Sequence, residues 1–532
     1  MKTKYFFLSI LLIGLCCSCE DLLDIPQKGV TSVENFYQSD EDAMEAVTAA
    51  YNSWRAAFTS GFQLKNLLAD DLHKAGAYRG DNESYENAWE LALTPSNCEY
   101  LGAYFQQLYQ TIYKANLITD HFTNESEVKA RVLAEAKFFR AYCYFELVTL
   151  WGSTPLVTKE LAPSEYQQPN GEIPKLWAQI ESDLTEAINS NTLPSKNNIN
   201  DRETGIRITK EAALAFLGKV YLYQGKYGEA KTELAKVVSS QLYDLIGNFG
   251  DLYHIEADNC KEYLLEANRH NDPNNMFSQG GWLGILCNWG FGSFLTIVDD
   301  AKATAAYDFK KDQGYAFFNP SKSLYDAFVA EETTNGYRLN LSIKTWQQVM
   351  DMGISVTADS RFFGSEGLWR WKFLPKQAEE STIMPWGGNY ANSPVIRYAD
   401  VLLMLAEACV QTNDNTASNY YNTVRTRAQL GTKASITLND VKLERRLELA
   451  MEGLRFQDLL RWGDAPAVLA EKGKRLPTFS ITVTGTTPTS WTVEYEDNEK
   501  PDAGFTVGRD ELLPFPQTEM NVNDIINQNP GY

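Results

Sequence analysis

The chain contains 532 residues, with 48 basic and 69 acidic side chains and a formal net charge of −21. This acidic balance argues against nucleic acid and anionic lipid surfaces as partners, because both require a positive binding face. A chain of this length fills either several ordinary domains or one large body with insertions.

The N-terminal segment has the pattern of a secretion leader. An apolar run, Tyr5 to Leu15, follows two lysines and is too short to span a bilayer about 30 Å thick. Cys19 follows the small Ser18 and precedes two acidic residues, which resembles the signal of bacterial lipoproteins. We therefore expect residues 1–18 to be a signal peptide and Cys19 to carry acyl chains that anchor the protein to a membrane. Cys17 is the alternative acylation site, and an ordinary signal peptide with incidental cysteines is the alternative leader.

Signatures of metal, cofactor and catalytic sites are missing from the sequence. The cysteines after Cys19 are widely spaced without a CxxC motif, and the four histidines form no HExxH motif. No GxSxG motif or phosphate-binding loop occurs either. We therefore expect no cofactor, no metal site and no catalytic residue. A glycoside hydrolase is the alternative, because paired carboxylates occur at Asp70-Asp71, Asp299-Asp300, Glu331-Glu332 and Glu379-Glu380.

Residue periodicity predicts long helices in the N-terminal half. In the stretch from Ser39 to Phe58, a capping serine and acidic residues precede apolar side chains at three- and four-residue steps. Residues 128–152 show a second pattern of this kind, which ends at a glycine. Both stretches are long enough to form the body of a helical frame.

Two further stretches have the spacing of tetratricopeptide helical hairpins. In residues 208–240, small residues such as Gly218 fall where two helices touch, and large residues fall where the groove is filled. Residues 397–430 contain a related hairpin with a shorter connecting loop. Such repeats need neighbours to bury their faces, so we expect the helical stretches at 132–151 and 440–462 to join the same frame.

The helical rhythm stops between about residues 244 and 395. This segment is rich in glycine, asparagine and aromatic residues, and it has too many aromatic residues for a disordered linker. We interpret it as an irregular lobe packed on the helical frame. Farther along, residues 478–496 alternate in a way that predicts one or two short strands.

Six stretches carry a family resemblance, in this order along the chain: RAYCYFELVTLWGSTPLV, ITKEAALAFLGKVYLYQGKYGEA, SPVIRYADVLLMLAEA, YNTVRTRAQL, ERRLELAMEGLRFQDLLRWG and LLPFPQTEMNVNDIINQNPGY. Together they resemble one family, the SusD/RagB-like nutrient-binding lipoproteins of Bacteroidetes, and they follow in that family's order. The resemblance implies a mostly α fold, with four tetratricopeptide-like helical hairpins forming a frame, a large irregular loop-rich lobe and minor β structure.

The resemblance also implies a function. Such proteins cap a SusC-like TonB-dependent outer-membrane transporter, capture an oligosaccharide or other nutrient, and release it into the barrel. We therefore expect a cell-surface protein, lipid-anchored at the outer membrane, with an oligosaccharide and the transporter as partners and no nucleic acid. Starch, host glycans, plant polysaccharides and peptides are all compatible nutrients. The alternative is a peptide- or protein-binding scaffold, because tetratricopeptide grooves often bind peptides.

Four segments are expected along the chain. They are a signal peptide at 1–18, an N-terminal helical region at 19–240, an irregular aromatic-rich ligand-binding lobe at 241–395, and a C-terminal helical region with the family's tail at 396–532.

The candidate ligand site follows from the chemistry of a neutral sugar. Its apolar C–H faces lie on aromatic rings, and its hydroxyls pair with short polar side chains. Residues 67–89 and 280–292 combine these residue types, and both are expected to include loops. The first segment also contains Tyr78, Asp81 and Asn82, and lesser candidates elsewhere are Trp369, Trp371 and Trp386. The predicted ligand-binding residues are Asp70, Asp71, Arg79, Trp89, Trp282, Asn288 and Trp289.

Many charged residues in the matching stretches are better explained as ion pairs between helices than as ligand contacts. Trp462 and Gly463 have the pattern of a packed helix end, Trp54 is expected in the core, and the C-terminal QNPGY is expected to pack back onto the frame. The charged residues predicted to pair are Arg397, Arg425, Arg427, Glu444, Arg445, Arg446, Glu448, Glu452 and Arg455.

Overall fold

The described chain is predominantly helical, with short strands between the helices, as the sequence and its resemblance predict. The predicted leader and Cys19 lie outside it. None of its helices is both long enough and apolar enough to cross a membrane. The computed structural model describes residues 36–270, 286–290, 294–308, 314–379 and 390–532.

The first helix, α1 (Asp40–Leu68), begins where the capping pattern predicts. Ser39 accepts a hydrogen bond from the backbone N–H of Asp42 (3.1 Å), and the Asp42 carboxylate accepts one from the N–H of Ser39 (2.8 Å). This capping box satisfies two backbone donors that a helix start otherwise leaves unpaired. The apolar face of α1 is buried, and Trp54 lies in the core as predicted.

Helices form the frame on both sides of the lobe, and shorter helices lie within the lobe. The N-terminal half continues with α2 (Glu83–Trp89), α3 (Glu99–His121), α4 (Glu127–Leu150), α5 (Ile173–Asn189), α6 (Lys210–Tyr223) and α7 (Tyr227–Ser239). The lobe contains α8 (Asp300–Ala306), α9 (Lys322–Glu332), α10 (Tyr337–Asn340) and α11 (Trp346–Asp351). The C-terminal part contains α12 (Tyr398–Gln411), α13 (Ala417–Arg427), α14 (Leu438–Glu448), α15 (Arg455–Trp462), α16 (Ala465–Val468) and α17 (Gln517–Met520).

Helices α6 and α7 form the hairpin predicted from residues 208–240. Thr209 caps α6 by accepting a hydrogen bond from the backbone N–H of Ala212 (3.1 Å). Gly218 faces Leu234 so closely that a Cβ at Gly218 would lie 2.6 Å from Leu234 Cγ. A residue without a side chain therefore sets the distance between the two helices, as the tetratricopeptide pattern predicts.

The C-terminal half repeats this arrangement. Helices α12 and α13 pack against each other, and α12 also packs against α7 of the first hairpin. Gly463 ends α15 in the left-handed region, with a φ of 72°. Trp462 donates from its indole nitrogen to Glu407 (3.0 Å), so the predicted packed helix end is confirmed.

The strands form small antiparallel sheets. They are β1 (Leu72–Ala75), β2 (Tyr263–Ala267), β3 (Thr296–Ile297), β4 (Phe317–Pro320), β5 (Ile343–Thr345), β6 (Ile354–Ser355), β7 (Ser360–Phe363), β8 (Leu368–Arg370), β9 (Ser393–Arg397), β10 (Arg475–Thr484) and β11 (Thr487–Asp497). The strands predicted in residues 478–496 are β10 and β11, which form a hairpin. Strand β10 also pairs on its other side with β7 of the lobe, so that the order is β11–β10–β7. The remaining pairs are β1–β4, β2–β9, β3–β6 and β5–β8.

Aromatic side chains form a separate hydrophobic core within the lobe. The rings of Trp346 and Trp369 lie 5.4 Å apart, and Phe479 of the hairpin lies 5.7 Å from Trp369. Phe362 and Trp289 belong to the same buried cluster. Aromatic pairs at these separations add to the free energy of burial. The density of aromatic residues in the lobe therefore has a structural explanation.

The charged residues form buried ion pairs, as predicted, and several of these pairs connect the lobe to the C-terminal helices rather than one helix to another. Nη1 of Arg397 lies 2.6 Å from Glu262 and 3.1 Å from Glu448, and Nη2 of Arg397 lies 2.7 Å from Glu452. Arg427 pairs with the same Glu262 and Glu448. Burial opposes the charge of Glu448, but the neighbouring arginines outweigh it and lower its pKa to about 2. The other predicted members, Arg425, Glu444, Arg445, Arg446 and Arg455, also form ion pairs.

The last residues pack back onto the frame, as predicted. The side-chain amide of Asn529 donates to the backbone oxygens of Trp151 (2.9 Å) and Leu513 (2.7 Å). The hydroxyl of Tyr532 donates to Asp510 (3.0 Å). These contacts fix the C-terminal segment against the end of α4.

Candidate functional site

The acidic pair Asp70-Asp71 is held by two arginines of the C-terminal helices. Arg455 Nε lies 2.9 Å from Asp70, and Arg446 lies 2.8 Å from Asp70 and 2.9 Å from Asp71. Burial favours the neutral acid, but Arg446 and Arg455 outweigh it and lower the pKa of Asp70. Both carboxylates thus pair with protein cations at the end of α1. This corrects the prediction that they contact ligand, because little of either side chain reaches solvent.

Trp89 lies inside the core, with 4% of its surface exposed. The His73 ring meets it edge-on at 5.3 Å, and the Lys472 ammonium lies 5.5 Å from its ring centre. A ring enclosed in this way offers no open face to a sugar. The prediction that Trp89 stacks on ligand is therefore corrected, and the residue packs the end of α2.

Trp289 and Asn288 are also buried. Trp289 is 1% exposed, and its indole nitrogen donates to the backbone oxygen of Arg370 (2.5 Å). The side-chain oxygen of Asn288 accepts a hydrogen bond from the backbone N–H of Trp289 (2.8 Å). The prediction that these two side chains contact the ligand is therefore corrected as well, because both are buried. Trp369 is buried in the lobe core, whereas Trp282 and Trp386 lie outside the described residues.

The structure nevertheless brings the two predicted segments together. Strand β1 pairs with β4 so that Ala75 lies opposite Phe317. One residue before Phe317, the backbone N–H of Ala316 donates to the backbone oxygen of Asn288 (2.9 Å). Gly314 approaches the same Asn288 so closely that a Cβ there would lie 2.6 Å from the asparagine Cβ. The residues just before β4 therefore lie between the two segments singled out from the sequence.

Two tyrosines on these adjoining segments are open to solvent. Tyr78, beyond the end of β1, is 59% exposed, and Tyr315, just before β4, is 49% exposed. The Tyr315 ring rests on Phe317 at 6.0 Å, and the Lys74 ammonium lies 5.7 Å over that same Phe317 ring. Lys74 also donates to the backbone oxygen of Tyr78 (3.4 Å). We name Tyr78, Arg79 and Tyr315 the Tyr78 surface.

The loop that carries Tyr78 is held from several sides. The Asp81 carboxylate accepts a hydrogen bond from the backbone N–H of Ala77 (2.8 Å) and pairs with Lys74. The backbone N–H of Gly80, whose φ is 78°, donates to Glu86 (2.6 Å). Fixing the backbone in advance reduces the entropy lost when a ligand binds.

Arg79 remains exposed, as its predicted role requires. Its guanidinium donates to the side-chain oxygen of Asn498 (2.8 Å) and lies 3.4 Å from Glu86. Asn498 follows the last residue of β11, so Arg79 connects the Tyr78 surface to the hairpin. Five N–H donors make a guanidinium well suited to bind sugar hydroxyls while it keeps its protein contacts.

The hairpin adds an exposed aromatic face beside this surface. Trp491, Val493 and Tyr495 alternate along the edge strand β11, so they lie on one side of it, and all three are exposed. The Tyr495 hydroxyl donates to Glu366, which also lies 2.8 Å from His73. Sequence periodicity predicted the strands but did not single out these side chains. Tyr315 was missed as well, because nothing local distinguishes it from its buried aromatic neighbours.

Two models of one family match most of the chain. The model of the SusD family matches residues 288–532, and a SusD-like model described as starch-binding and associating with the outer membrane matches residues 33–222. The chain is a SusD/RagB-like protein. Both the order of the matched ranges and the helical frame agree with that membership.

The sequences of individual relatives align with almost the whole length of this SusD/RagB-like protein. SusD-like protein P2 of Formosa agariphila is 25% identical over 99% of this chain and 100% of its own length. A SusD-like protein of Bacteroides ovatus is 24% identical over 100% of this chain and 98% of its own length.

Solved structures share the fold. A laminarin-binding SusD-like protein is 27% identical, with a TM-score of 0.75 over 92% of this chain and 99% of that chain. Surface glycan-binding protein A from Bacteroides thetaiotaomicron is 22% identical, with a TM-score of 0.73 over 93% of this chain and 100% of that chain.

The paired carboxylates considered for catalysis have structural partners wherever they fall within the described residues of this SusD/RagB-like protein, and Glu380 lies outside them. Glu331 pairs with Arg425 (2.5 Å) and Glu332 with Arg338 (2.7 Å). Asp299 caps α8. Among the described residues, no group of three or more histidine, cysteine, aspartate or glutamate side chains is arranged to hold a metal ion.

Proposed function

We propose that this SusD/RagB-like protein captures a glycan at the cell surface and delivers it, uncleaved, to a SusC-like TonB-dependent transporter. The observation that carries the proposal is the Tyr78 surface, where two exposed rings on adjoining segments lie next to an exposed guanidinium. A sugar ring would place its C–H face on a tyrosine, and its hydroxyls would bind Arg79.

A β-glucan is the ligand class that we propose to test first. The laminarin-binding SusD-like protein shares 27% of its sequence and the whole fold with this chain, which supports an extended glucan over a peptide. The aromatic face of β11 would contact further sugar units of such a chain. The peptide-scaffold alternative lacks an observation of comparable weight.

The sequence and the family description support a location at the outer membrane. We propose that Cys19 carries the lipid anchor and that the described chain lies outside the outer membrane, in keeping with the outer-membrane association in the family description. A binding role is proposed in place of catalysis because Glu331 and Glu332 are engaged by arginines and Asp299 by a helix start.

Affinity electrophoresis tests the glycan proposal. The purified protein is run through gels that contain laminarin, starch, or other plant and host polysaccharides, and retardation by at least one polymer is expected. Tyr78→Ala and Tyr315→Ala should weaken binding about tenfold or more, the scale of losing a stacked ring. Tyr78→Phe and Tyr315→Phe keep the rings and should bind nearly as well. Wild-type retardation of both alanine variants would exclude the Tyr78 surface.

Anchoring and delivery have separate tests. Cys19→Ala should release the protein from the membrane fraction, whereas Cys17→Ala should leave it there. Extraction in mild detergent should copurify a large β-barrel protein. Recovery as a monomer without a partner, even after cross-linking in cells, would contradict the delivery step.

A further inference from the structure

A concave site lies apart from the Tyr78 surface, with none of that surface's residues in its lining. A cavity of about 230 Å³, open to solvent, lies between α3, the chain that follows α4, and the C-terminal segment around α17. Three tyrosines line it, namely Tyr109 and Tyr113 on α3 and Tyr166 after α4. Tyr113 is 51% exposed and Tyr166 is 65% exposed. We name this cavity the α3 pocket.

The arrangement of the tyrosines follows from their elements. Tyr109 and Tyr113 are four residues apart on α3, so their rings lie on the same face of the helix. The Tyr109 hydroxyl donates to the backbone oxygen of Pro155 (2.8 Å), which fixes that ring against the chain after α4. Ile112 and Val157 contribute apolar surface to the lining. The pocket thus offers ring faces and an apolar wall.

Two polar side chains at the pocket have unused hydrogen-bonding capacity. The Glu519 carboxylate has no ion pair within the described chain, and its side-chain contact is a long 3.4 Å hydrogen bond from Asn523. Burial raises the pKa of Glu519. The side-chain oxygen of Asn523 is buried without a hydrogen-bond partner, while its nitrogen donates to the backbone oxygen of Gln168 (2.8 Å). Such groups are usually satisfied in folded proteins, and a ligand would supply partners after a small side-chain rotation.

Charge and size narrow the class of ligand. Lys159 also lines the pocket and is bound to Glu165 (2.8 Å), so a cationic ligand would meet a fixed positive charge. An anionic ligand would meet Glu519. Sites for drug-sized ligands usually measure about 300–1,000 Å³, so the α3 pocket fits a smaller neutral group. Tyrosine faces with carboxylate and amide acceptors match one sugar unit.

We infer that the α3 pocket is a second glycan-binding site that holds one sugar unit through Tyr113, Tyr166 and Glu519. This inference rests on the proposed glycan-binding function. A broader groove of about 1,290 Å³ shares Tyr109, Tyr113 and Glu519 with the pocket and extends to Glu83. Glu83 directly follows Asn82 at the end of the Tyr78 loop. The groove thus extends from the pocket towards the Tyr78 loop, and a polymer chain long enough to bind at both sites would have a raised apparent affinity.

Isothermal titration with laminarihexaose tests the second site, with laminarin-gel retardation as the polymer readout. Two hexasaccharides are expected per wild-type chain. Tyr166→Ala and Glu519→Gln should each weaken one of the two binding events about tenfold or more and reduce polymer retardation. Tyr166→Phe is the matched control and should retain both events. Tyr113, Tyr166 and Glu519 reach solvent, so thermal melting should show these variants folded.

The possible outcomes separate the two proposals. If Tyr78→Ala removes one event and Tyr166→Ala removes the other, both sites are supported. If the wild-type chain shows a single binding event, and this event disappears in Tyr78→Ala but is unchanged in Tyr166→Ala and Glu519→Gln, the α3 pocket is excluded and the Tyr78 surface stands. If a single event disappears only in the pocket variants, the pocket stands and the Tyr78 surface is excluded. If neither laminarihexaose nor any polysaccharide of the panel binds, both are excluded.

Discussion

Arg397 and Glu452 form a two-point ion pair in the interior of the protein. Nε of Arg397 lies 2.9 Å from one carboxylate oxygen of Glu452, and Nη2 lies 2.7 Å from the other. Arg397 ends β9 at the edge of the lobe, whereas Glu452 follows α14. The pair therefore joins the edge of the lobe to the C-terminal helices through two parallel charge-assisted hydrogen bonds, a bidentate arrangement that is among the strong side-chain interactions.

Removal of this arginine should destabilise the fold strongly. In Arg397→Met, Glu452 would remain buried without its main partner, so the free energy of unfolding should fall by about 3–5 kcal/mol. Urea denaturation measures the change. Lys175→Met is the control, because the Lys175–Glu172 pair is exposed and should contribute little. Equal effects of the two substitutions would contradict the structural role given to the buried pairs.

Acid should weaken the same network. Burial opposes the charge of Glu452, but Arg397 and Lys372 outweigh it and lower its pKa to about 2, against about 4.3 in an unfolded chain. The stability from this group is therefore present above about pH 5 and is lost as the pH falls towards 2, at about 2–3 kcal/mol for one carboxylate. Glu452→Gln should destabilise the protein strongly at pH 7 and much less at pH 3. A constant difference between those pH values would contradict this explanation.

The close approach in the first hairpin predicts opposite effects for two glycine substitutions. In Gly218→Ala, the new methyl group would meet the buried Leu234 and should cost about 1–3 kcal/mol of unfolding free energy. Gly228, near the start of α7, has open space around it, so Gly228→Ala should stabilise the helix by about 0.5–1 kcal/mol. Thermal or urea unfolding of both variants checks the contrast. Destabilisation of the same size in both would contradict the tight packing at Gly218.

Asn498 should influence ligand binding through Arg79. Asn498→Ala removes the acceptor that orients the guanidinium, so affinity for the bound polysaccharide should fall severalfold. The melting temperature should fall slightly as well, because the Asn498 side chain also donates to the backbone oxygen of Gly473 (2.8 Å) and accepts from the N–H of Lys500 (3.0 Å). Asn498→Asp keeps an acceptor and should restore most of the affinity. Gel retardation combined with thermal melting separates the two effects. Binding lost equally in the alanine and aspartate variants would argue against the positioning role.

The helical frame could be predicted because its signals are local. The Ser39 cap, the Gly218 position and the left-handed Gly463 each act within a few residues or within one hairpin. The alternation in residues 478–496 likewise specifies strands without information from distant segments. The ion pairing of the charged residues could also be predicted, because carboxylates and arginines that become buried need oppositely charged partners.

Which side chains of the candidate site are exposed could be predicted only in part, because exposure depends on distant segments. Asp71 looks available in the sequence, but its partner Arg446 lies 375 positions along the chain. Trp89 looks like a stacking ring until the core closes over it. Tyr315 becomes a neighbour of the Tyr78 loop only through the pairing of β1 with β4. No pattern within a short window encodes these relationships.

The pairing of β1 with β4 has an evolutionary consequence. It joins an exposed loop from the region matched by one family model to a segment from the region matched by the other. Neither Tyr78 nor Tyr315 takes part in the buried ion pairs that hold the frame. Substitution of Tyr78 or Tyr315 therefore leaves the ion pairs of the scaffold in place. Proteins that descend from one ancestral chain could in this way come to bind different ligands while they keep the same fold.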